Sequence, residues 1–254
     1  MAAACPVLIE RRDGVALLIL NRPAALNAVD AELRAALTEA LRTLNADAGV
    51  ASAVITGSGG RAFCAGQDLH EAMALAPGEV EGWLERQHAM YQSVRDFDKP
   101  LVAALNGVTA GAGFQIALCC DLRVAYPELR VGQPEIRAGL ASIVGTYLLS
   151  LQLPLSLNQQ LSLAGELLPG SRAYELGLIN HLVAQAEVLA RAIALAHELA
   201  QLPSAAYAAT KARLRELSQP GFDAALVAAK RAQQALYASG EPQRVMRKFF
   251  DSRK

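Results

Sequence analysis

Apolar and polar positions along the first fifty residues predict a hairpin followed by a helix. Val7–Glu10 and Val15–Leu20 are short apolar runs on either side of Asp13-Gly14, and an Asp-Gly pair in that place is a strong hairpin signal. Asp30 predicts a helix N-cap, because leucines then recur every three to four residues. These leucines are Leu33, Leu37, Leu41 and Leu44.

The same architecture recurs along the first two-thirds of the chain. Ala51–Thr56 and Leu101–Leu105 are predicted as buried strands, and each leads into a loop of small residues and then a helical pattern. Helical spacing spans Leu69–Asp96 with a break near Pro77-Gly78, and Leu122–Ala125 predicts another strand. Because strand, strand and helix recur at least twice, we expect stacked turns of similar structure.

From about residue 185 the pattern becomes helical and rich in alanine. We predict that Pro220-Gly221 separates two of the helices in this region, since proline removes a backbone donor. The predicted helices are Ala186–Leu202, Ser204–Ser218, Asp223–Ser239 and Pro242–Phe250. We therefore divide the chain into a core of residues 1–184 and a helical C-terminal region of residues 185–254. The pattern fits equally a region that contacts other subunits and one that packs on its own core.

Composition narrows the class of protein. The 254 residues are 53% hydrophobic with a net charge of +0, which predicts a large core and argues against a general nucleic-acid or membrane-surface binder. The four cysteines form no CxxC pair, so we expect reduced thiols in a cytoplasmic protein rather than a zinc site or disulfides. The first residues lack the apolar segment of a signal peptide, and no apolar run is long enough for a membrane helix.

Two loops are candidates for chemistry because each lies between a strand and a helix. They are Ala62–Asp68 and Asn106–Phe114. Small residues let a ligand approach the backbone, and the unpaired N–H groups of a helix N-terminus suit a developing oxyanion. From the pattern alone, ordinary tight turns between a strand and a helix are the better explanation of the loops. Neither loop carries the GxGxxG or GK[ST] pattern of a nucleotide site.

Several short motifs together resemble the crotonase (enoyl-CoA hydratase/isomerase) family over nearly the whole chain. They are Asn21-Arg22-Pro23, Leu26-Asn27-Ala28, Ala62–Leu69, Lys99-Pro100 through Cys120-Asp121, Gln133-Pro134-Glu135 and Gly177-Leu178-Ile179. The resemblance implies an α/β fold in which ββα turns form a spiral, with a helical C-terminal trimerisation region. It further implies a homotrimer or hexamer. The substrate would be an acyl-CoA, so coenzyme A would enter as part of the substrate, and no metal or other cofactor would be needed.

The resemblance also assigns roles to residues of this chain. The backbone N–H groups of Gln67 and Ala112 would hold the thioester carbonyl oxygen. Other matched positions would bind the substrate or line the coenzyme A path, namely Ala24, Ala28, Arg61, Ala62, Ala65, Gly66, Asp68 and Gly111. Arg253 or Lys254 of a neighbouring subunit would be a further phosphate contact.

The acid–base residues depart from the hydratase pattern that the resemblance implies. The family's two glutamates fall at Gln115 and Glu135, and only the second is a carboxyl group here. Gln115 can orient a water molecule but cannot accept its proton at neutral pH. Hydratases also have a proline and a Gly-Gly pair where this chain has the bulkier Ser142–Thr146. One glutamate is enough for a 3-enoyl-CoA isomerase, in which a single base moves a proton from C2 to C4.

We therefore expect enoyl-CoA isomerisation with Glu135 as the base, and keep three alternatives. These are enoyl-CoA hydration despite Gln115, another chemistry of the family, and an acyl-CoA-binding protein that has lost catalysis. His70 and His88 are weaker candidates for the base. Asp68 is expected to cap the helix that follows it, while Asp121 and Cys64 are expected to be structural.

Overall fold

The structure, a computed structural model, describes residues 5–252 and contains two β-sheets among helices. The strands are β1 (Val7–Arg12), β2 (Val15–Leu20), β3 (Ser52–Gly57), β4 (Ala62–Cys64), β5 (Leu101–Ala104), β6 (Val108–Ala110), β7 (Leu122–Ala125), β8 (Arg130–Gly132), β9 (Leu167–Pro169) and β10 (His181–Leu182). The helices are α1 (Ala31–Ala46), α2 (Leu69–Ala74), α3 (Val80–Arg95), α4 (Ala112–Cys119), α5 (Ile143–Ser150), α6 (Leu155–Ala164), α7 (Gly170–Glu175), α8 (Val188–Ala200), α9 (Ser204–Ser239) and α10 (Glu241–Asp251).

The larger sheet has the strand order β1-β2-β3-β5-β7-β10. Strands β1 and β2 are antiparallel, and the other neighbours in this sheet are parallel. The smaller sheet has the order β4-β6-β8-β9, in which only β8 and β9 are antiparallel. Successive turns of the chain thus add one strand to each sheet, which is the stacked strand–strand–helix architecture that the sequence predicts.

The first hairpin and the first helix form as predicted. Asp13 and Gly14 both have a positive φ, 49° and 83°, as a two-residue hairpin turn between twisted strands requires. The Asp30 carboxylate accepts a hydrogen bond from the N–H of Leu33 and so caps α1. The four leucines that recur along α1 are all buried against the larger sheet.

The loop predicted over Ala62–Asp68 begins with a strand, so that prediction is corrected. Strand β4 has three residues and pairs with β6, which the sequence pattern also missed. Three residues are too few to show the alternation of a strand. A Cβ on Gly57 would lie 2.3 Å from the Ala62 carbonyl oxygen, so glycine lets the two chain segments approach closely here.

The predicted break at Pro220-Gly221 is wrong, because α9 continues through Pro220. Proline inside a helix costs about 3 kcal/mol through a lost hydrogen bond and a ring clash. Packing offsets this cost. The Tyr147 hydroxyl donates to the Ser218 carbonyl over 2.5 Å, and Phe222 is fully buried.

The C-terminal helices pack on different parts of the molecule. Helix α8 buries Val188, Ala192 and Ala196 against β3, β5 and β7 of the larger sheet. Helix α9 packs on α3 and α5, and α10 packs on α2. Of the helices within residues 5–252, none combines the length and apolar character needed to cross a membrane.

Candidate active site

The two glycine-bearing loops that the sequence singles out meet in the structure. Gly66 has φ +109° and Gly111 has φ +51°, conformations that residues with a side chain rarely adopt. A Cβ on Gly66 would lie 3.7 Å from the Ala112 nitrogen, and a Cβ on Gly111 would lie 3.7 Å from the Gly66 Cα. The first loop and the start of α4 are therefore in direct contact.

This contact leaves two backbone N–H groups at the wall of one cavity. Within residues 5–252 no atom accepts a hydrogen bond from the N–H of Gln67 or of Ala112, although both residues line the cavity. Ala112 is the first residue of α4, where the helix itself supplies no acceptor. Paired N–H groups of this kind can stabilise negative charge that develops on an oxygen.

The Gln67 side chain holds its own loop in place. Its amide nitrogen donates to the Val29 carbonyl over 3.0 Å and to the Glu71 carboxylate over 3.1 Å. Glu71 in turn pairs with the buried guanidinium of Arg34 at 2.8 Å. The position of the Gln67 backbone is thus held by contacts with Val29 and with α2, and the side-chain amide nitrogen is occupied by these two hydrogen bonds.

Glu135 lies on the same cavity, next to Gly111 and Gln115. It begins a short 3-10 helix just after β8, and its Oε1 would be 3.2 Å from a Cβ on Gly111. Burial raises the pKa of Glu135 to about 7, although hydrogen bonds from its own backbone, Gln115 and Ser142 oppose this shift. The carboxyl group is therefore poised to accept or donate a proton near neutral pH.

Two glutamine side chains surround this carboxyl group. The Gln115 amide nitrogen donates to Glu135 Oε1 over 2.6 Å and to the Gln133 amide oxygen over 3.1 Å. If the Gln133 amide is turned over, its nitrogen donates to the two carboxylate oxygens over 2.7 and 3.0 Å. In this orientation the Gln133 nitrogen and the Gln115 nitrogen both face the carboxyl group, which suits an ionised Glu135 that accepts hydrogen bonds.

The cavity beside Glu135 has a volume of about 70 Å³. It is lined by residues from the two glycine-bearing loops, from the segment that follows β8, and from α3, α4, α5 and α9, namely Gln67, Trp83, Leu84, Gln87, His88, Tyr91, Ala112, Gln115, Glu135, Leu140, Ala141, Ser142, Ile143, Val144, Leu226, Ala229 and Gln233. The segment Ser142–Thr146, where the sequence differs from the hydratase pattern, reaches the cavity wall through Ser142, Ile143 and Val144. The apolar side chains of Ile143 and Val144 therefore occupy space at the wall.

Three polar atoms in the side chains of the lining residues have no hydrogen-bond partner among residues 5–252. They are Trp83 Nε1, His88 Nε2 and Gln233 Oε1, of which His88 Nε2 lies 3.8 Å from the Asp223 carboxylate. Trp83 and Gln233 are each only 4% exposed. An unsatisfied polar group in the interior costs about 1–3 kcal/mol. Trp83 and Gln233 were not predicted as site residues, because no local sequence pattern shows that α3 and α9 meet at one cavity.

The residues predicted for the coenzyme A path lie along neighbouring loops outside this cavity. Ala65 donates its N–H to the Leu26 carbonyl over 3.0 Å, and the Ala62 carbonyl accepts from Asn27, so the two loops are tied together. Ala24 and Arg61 are exposed, Ala28 and Ala65 are half-buried, and Ala62 is buried. Arg253 and Lys254 lie outside the described residues.

Other candidates from the sequence have structural contacts. Asp68 caps α2 by accepting from the N–H groups of His70 and Glu71, and it pairs with Arg22 at 3.0 Å. Asp121 accepts hydrogen bonds from the Leu101 N–H, the Tyr207 hydroxyl and Lys211. Cys64 is buried, which raises the pKa of its thiol to about 12, so the thiol is protonated at neutral pH.

The two histidines differ in position. His70 is exposed and stacks on Phe250 outside the cavity. His88 lines the cavity and stacks on Phe222, and burial lowers its pKa. Among residues 5–252 there is no group of three or more His, Cys, Asp or Glu side chains placed to hold a metal ion.

Comparison with known proteins identifies the family of the chain. A sequence model of the enoyl-CoA hydratase/isomerase family matches residues 10–254. The chain is 28% identical over 249 residues to a crotonyl-CoA hydratase of Syntrophomonas wolfei, a match that covers 98% of this chain and 96% of that protein. It is 31% identical over 247 residues to the carboxymethylproline synthase of Pectobacterium carotovorum, covering 95% and 99% of the two chains.

Structural comparison gives the same result. A solved structure of an enoyl-CoA hydratase/isomerase from Mycobacterium paratuberculosis matches with a TM-score of 0.88 at 26% identity, covering 98% of this chain and 100% of that one. The α/β fold expected from the sequence motifs is therefore confirmed. The chain is an enzyme that belongs to the enoyl-CoA hydratase/isomerase family of the crotonase superfamily.

Proposed function

We propose that this enzyme moves a proton at the α-carbon of an enoyl-CoA thioester, with Glu135 as its single acid–base group. The observation that carries the proposal is that Glu135 is the only carboxyl group among the described cavity-lining residues. Its pKa of about 7 suits both removal and return of a proton. The backbone N–H groups of Gln67 and Ala112 are the proposed oxyanion hole for the thioester oxygen.

In the reaction that this arrangement supports best, the substrate is a 3-enoyl-CoA. The Glu135 carboxylate removes a proton from C2, and the electrons pass to the thioester oxygen to give a dienolate. The two N–H groups stabilise that negative charge. Protonated Glu135 then returns the proton at C4, which leaves a 2-enoyl-CoA and restores the carboxylate. One base serves both steps, so no second carboxyl group is needed.

Hydration of a 2-enoyl-CoA is the second candidate, because relatives of this chain are named as hydratases. Addition of water at C3 requires a group to accept the water proton as the bond forms. The Gln115 amide donates to Glu135 and has no basic site at neutral pH. In this reaction Glu135 would have to serve both the water and the α-carbon, which is why we place isomerisation first.

We propose that coenzyme A binds along the two loops that are joined by the Ala65–Leu26 and Asn27–Ala62 hydrogen bonds. Ala24, Ala28 and Ala65 are small residues at or near the surface there, and the exposed Arg61 offers a cation for a phosphate. Gly66 and Gly111 would let the thioester approach the backbone. We further propose that the C-terminal helices form a homotrimer or hexamer, which the exposed apolar residues Leu214, Leu217 and Val227 of α9 favour. The division at residue 185 and the cytoplasmic location stay predictions.

The test uses paired 2-enoyl-CoA and 3-enoyl-CoA thioesters with the native protein and Glu135→Gln. Isomerisation is supported if 3-enoyl substrates gain the absorbance of a conjugated thioester with no change of mass, and if the variant loses about 10²–10⁴-fold in rate. Glu128→Gln, at an exposed turn, is the matched control and should keep full activity. If 2-enoyl substrates gain the mass of water at a comparable rate, the enzyme is a hydratase instead.

A further inference from the structure

We propose that Arg34 is a positioning residue for the reaction, because its buried guanidinium joins the loop that carries the Gln67 N–H to helix α3, which forms part of the cavity wall. The inference rests on the proposed function, since it takes the Gln67 N–H as one of the two donors that bind the thioester oxygen. Arg34 lies on α1, is 2% exposed and is not among the residues that line the cavity.

The guanidinium reaches the first loop through Glu71. Its two terminal nitrogens donate to the two carboxylate oxygens of Glu71 over 2.8 and 3.4 Å, a two-point contact that restricts both side chains. Glu71 Oε2 also accepts a hydrogen bond from the Gln67 amide nitrogen over 3.1 Å. Glu71 is therefore the one side chain that links Arg34 to Gln67 along this path.

The third nitrogen of the guanidinium reaches α3. Arg34 Nε donates to the Gln87 amide oxygen over 2.9 Å, and the Gln87 amide nitrogen donates to the Tyr91 hydroxyl oxygen over 2.6 Å. Gln87 and Tyr91 both line the cavity and are buried. One cation thus connects the loop of Gln67 with the cavity side of α3 through side-chain hydrogen bonds.

The shape of the guanidinium makes this connection rigid. Its N–H groups lie in one plane and point in fixed directions, so the carboxylate of Glu71 and the amide of Gln87 are held at set positions relative to each other. A lysine ammonium is a point charge on a flexible chain and does not hold two acceptors in this way. We therefore expect that Arg34→Lys keeps the charge and loses part of the positioning.

Stability alone does not explain a cation at this place. Arg34 is one of the buried positions of α1, beside Leu33 and one turn from Leu37, where an apolar side chain is the usual choice. Removal of a guanidinium from water is unfavourable, and apolar residues can often replace a buried ion pair without loss of stability. The contacts toward Gln67 and Gln87 give this buried cation a role that an apolar residue lacks.

Arg34→Met should lower kcat while KM changes little. The oxyanion donors act on charge that develops in the transition state, so a displaced donor lowers kcat and kcat/KM equally. We expect both to fall about 10- to 100-fold, because displacement of a catalytic group by about 1 Å can cost that much. Arg34→Lys should lie between the native protein and Arg34→Met. A native kcat in folded Arg34→Met would overturn the inference.

Lys211→Met is the matched control. Lys211 pairs with Asp121 at 2.8 Å, and the side chains of that pair are 11% and 17% exposed. The side chains of Arg34 and Glu71 are 3% and 21% exposed. Neither Lys211 nor Asp121 lines the cavity. The control should lose stability because a carboxylate is left without its cation, and it should keep kcat. Equal kcat losses in the two variants would assign the effect to a folding defect.

The double variant Arg34→Met/Glu71→Gln separates position from charge. In Arg34→Met the Glu71 carboxylate has lost its cation, whereas in the double variant that charge is gone and stability should recover. The kcat should stay low, because the connection to Gln87 is still absent. Recovery of kcat together with stability would overturn the inference, since the unpaired charge would then explain the loss. The double variant also carries the test if Arg34→Met does not fold.

The bound thioester gives a measurement that does not depend on turnover. Hydrogen bonds to the thioester oxygen polarise the carbonyl group and lower its stretching frequency, which infrared difference spectra of butyryl-CoA labelled at that carbon report. The native protein should shift the band to lower frequency. At saturating ligand, Arg34→Met should lose about half of this shift or more, and Lys211→Met should keep it. A full shift in Arg34→Met would overturn the inference.

Turnover of 2-enoyl-CoA and 3-enoyl-CoA thioesters separates this inference from the proposed function. If Arg34→Met weakens the band shift of the native protein but no enoyl thioester reacts, the proposed chemistry is wrong and the role of Arg34 stands. If the enoyl thioesters react through Glu135 while Arg34→Met keeps the native kcat and the native band shift, the proposed function stands and the role of Arg34 is wrong.

Discussion

The Gln115 side chain donates a hydrogen bond of 2.6 Å to the carboxyl group of Glu135. A carboxyl group that accepts a hydrogen bond is stabilised in its charged form, so Gln115 lowers the pKa that burial raises. The amide thus keeps the pKa of Glu135 near neutrality rather than higher. We therefore expect Gln115 to act on the Glu135 pKa through this hydrogen bond rather than as a proton acceptor.

Replacing Gln115 tests that function. In Gln115→Glu, two carboxyl groups at hydrogen-bond distance cannot both ionise, so we expect the acidic limb of the pH–rate profile to move upward by at least about one unit. The variant should also hydrate 2-enoyl-CoA faster relative to isomerisation, because it supplies a second acid–base group. Gln115→Met is the matched control and should shift the limb upward without a gain in hydration. An unshifted limb in both variants would show that the hydrogen bond does not govern the Glu135 pKa.

The native enzyme should itself show one acidic limb near neutrality. Because the proposed reaction begins with the Glu135 carboxylate, kcat/KM should rise as the pH increases and level off above about pH 7. The measurement is initial rate against pH at low substrate concentration. A limb near pH 4.5, the ordinary value for a glutamate, would mean that burial does not perturb this group as the structure indicates.

Glu135 should also reduce stability as the pH rises. Its pKa is 4.5 for an ordinary glutamate and about 7 in the folded protein, so the folded state holds an extra proton between these values. The stability that this group contributes is present below pH 4.5 and is lost as the pH rises through 7. Glutamine does not titrate, so Glu135→Gln removes this pH dependence. The free energy of unfolding of the variant should therefore rise relative to that of the native protein by up to about 3 kcal/mol between pH 4.5 and pH 8. Urea unfolding across this pH range measures it, and parallel profiles for the two proteins would contradict the expectation.

Gly111→Ala should damage catalysis more than folding. The new Cβ would lie 3.2 Å from Glu135 Oε1 at a φ of +51°, so the carboxyl group would have to move and the Ala112 N–H would change direction. Loss of one oxyanion-stabilising donor costs about 2.7–4 kcal/mol, which predicts a fall in kcat of about 10²–10³-fold. Gly177→Ala is the matched control, with a φ of +77° and open space around its Cβ. It should lose some stability and keep its kcat, and equal kcat losses in the two variants would point to a general folding defect.

The sequence predicted those parts of the fold that depend on interactions between residues close together in the chain. The Asp13-Gly14 turn and the Asp30 cap depend on residues within a few positions of one another, so the sequence was sufficient. Strand β4 is paired with a distant strand, and Pro220 stays inside α9 because of contacts with α5. Neither cause is visible in a short stretch of sequence.

The candidate site divides in the same way. Gln67, Ala112, Gln115 and Glu135 were selected through motif resemblance, and the structure brings all four to one cavity. The part of the cavity wall that Trp83 and Gln233 form was not predicted. Trp83 and Gln233 lie on helices far apart in the chain, and a buried polar residue on a helix looks like any other until the tertiary packing is known.

The cavity is assembled from two parts of the molecule. The reacting groups come from the β4–α2 loop, the start of α4 and the residues after β8, whereas Trp83 and Gln233 come from α3 and α9. Substitutions on those two helices can therefore alter which acyl group enters while the proton-transfer machinery keeps its geometry. If the proposed roles hold, substrate range and reaction type can change independently of each other, in evolution and in engineering.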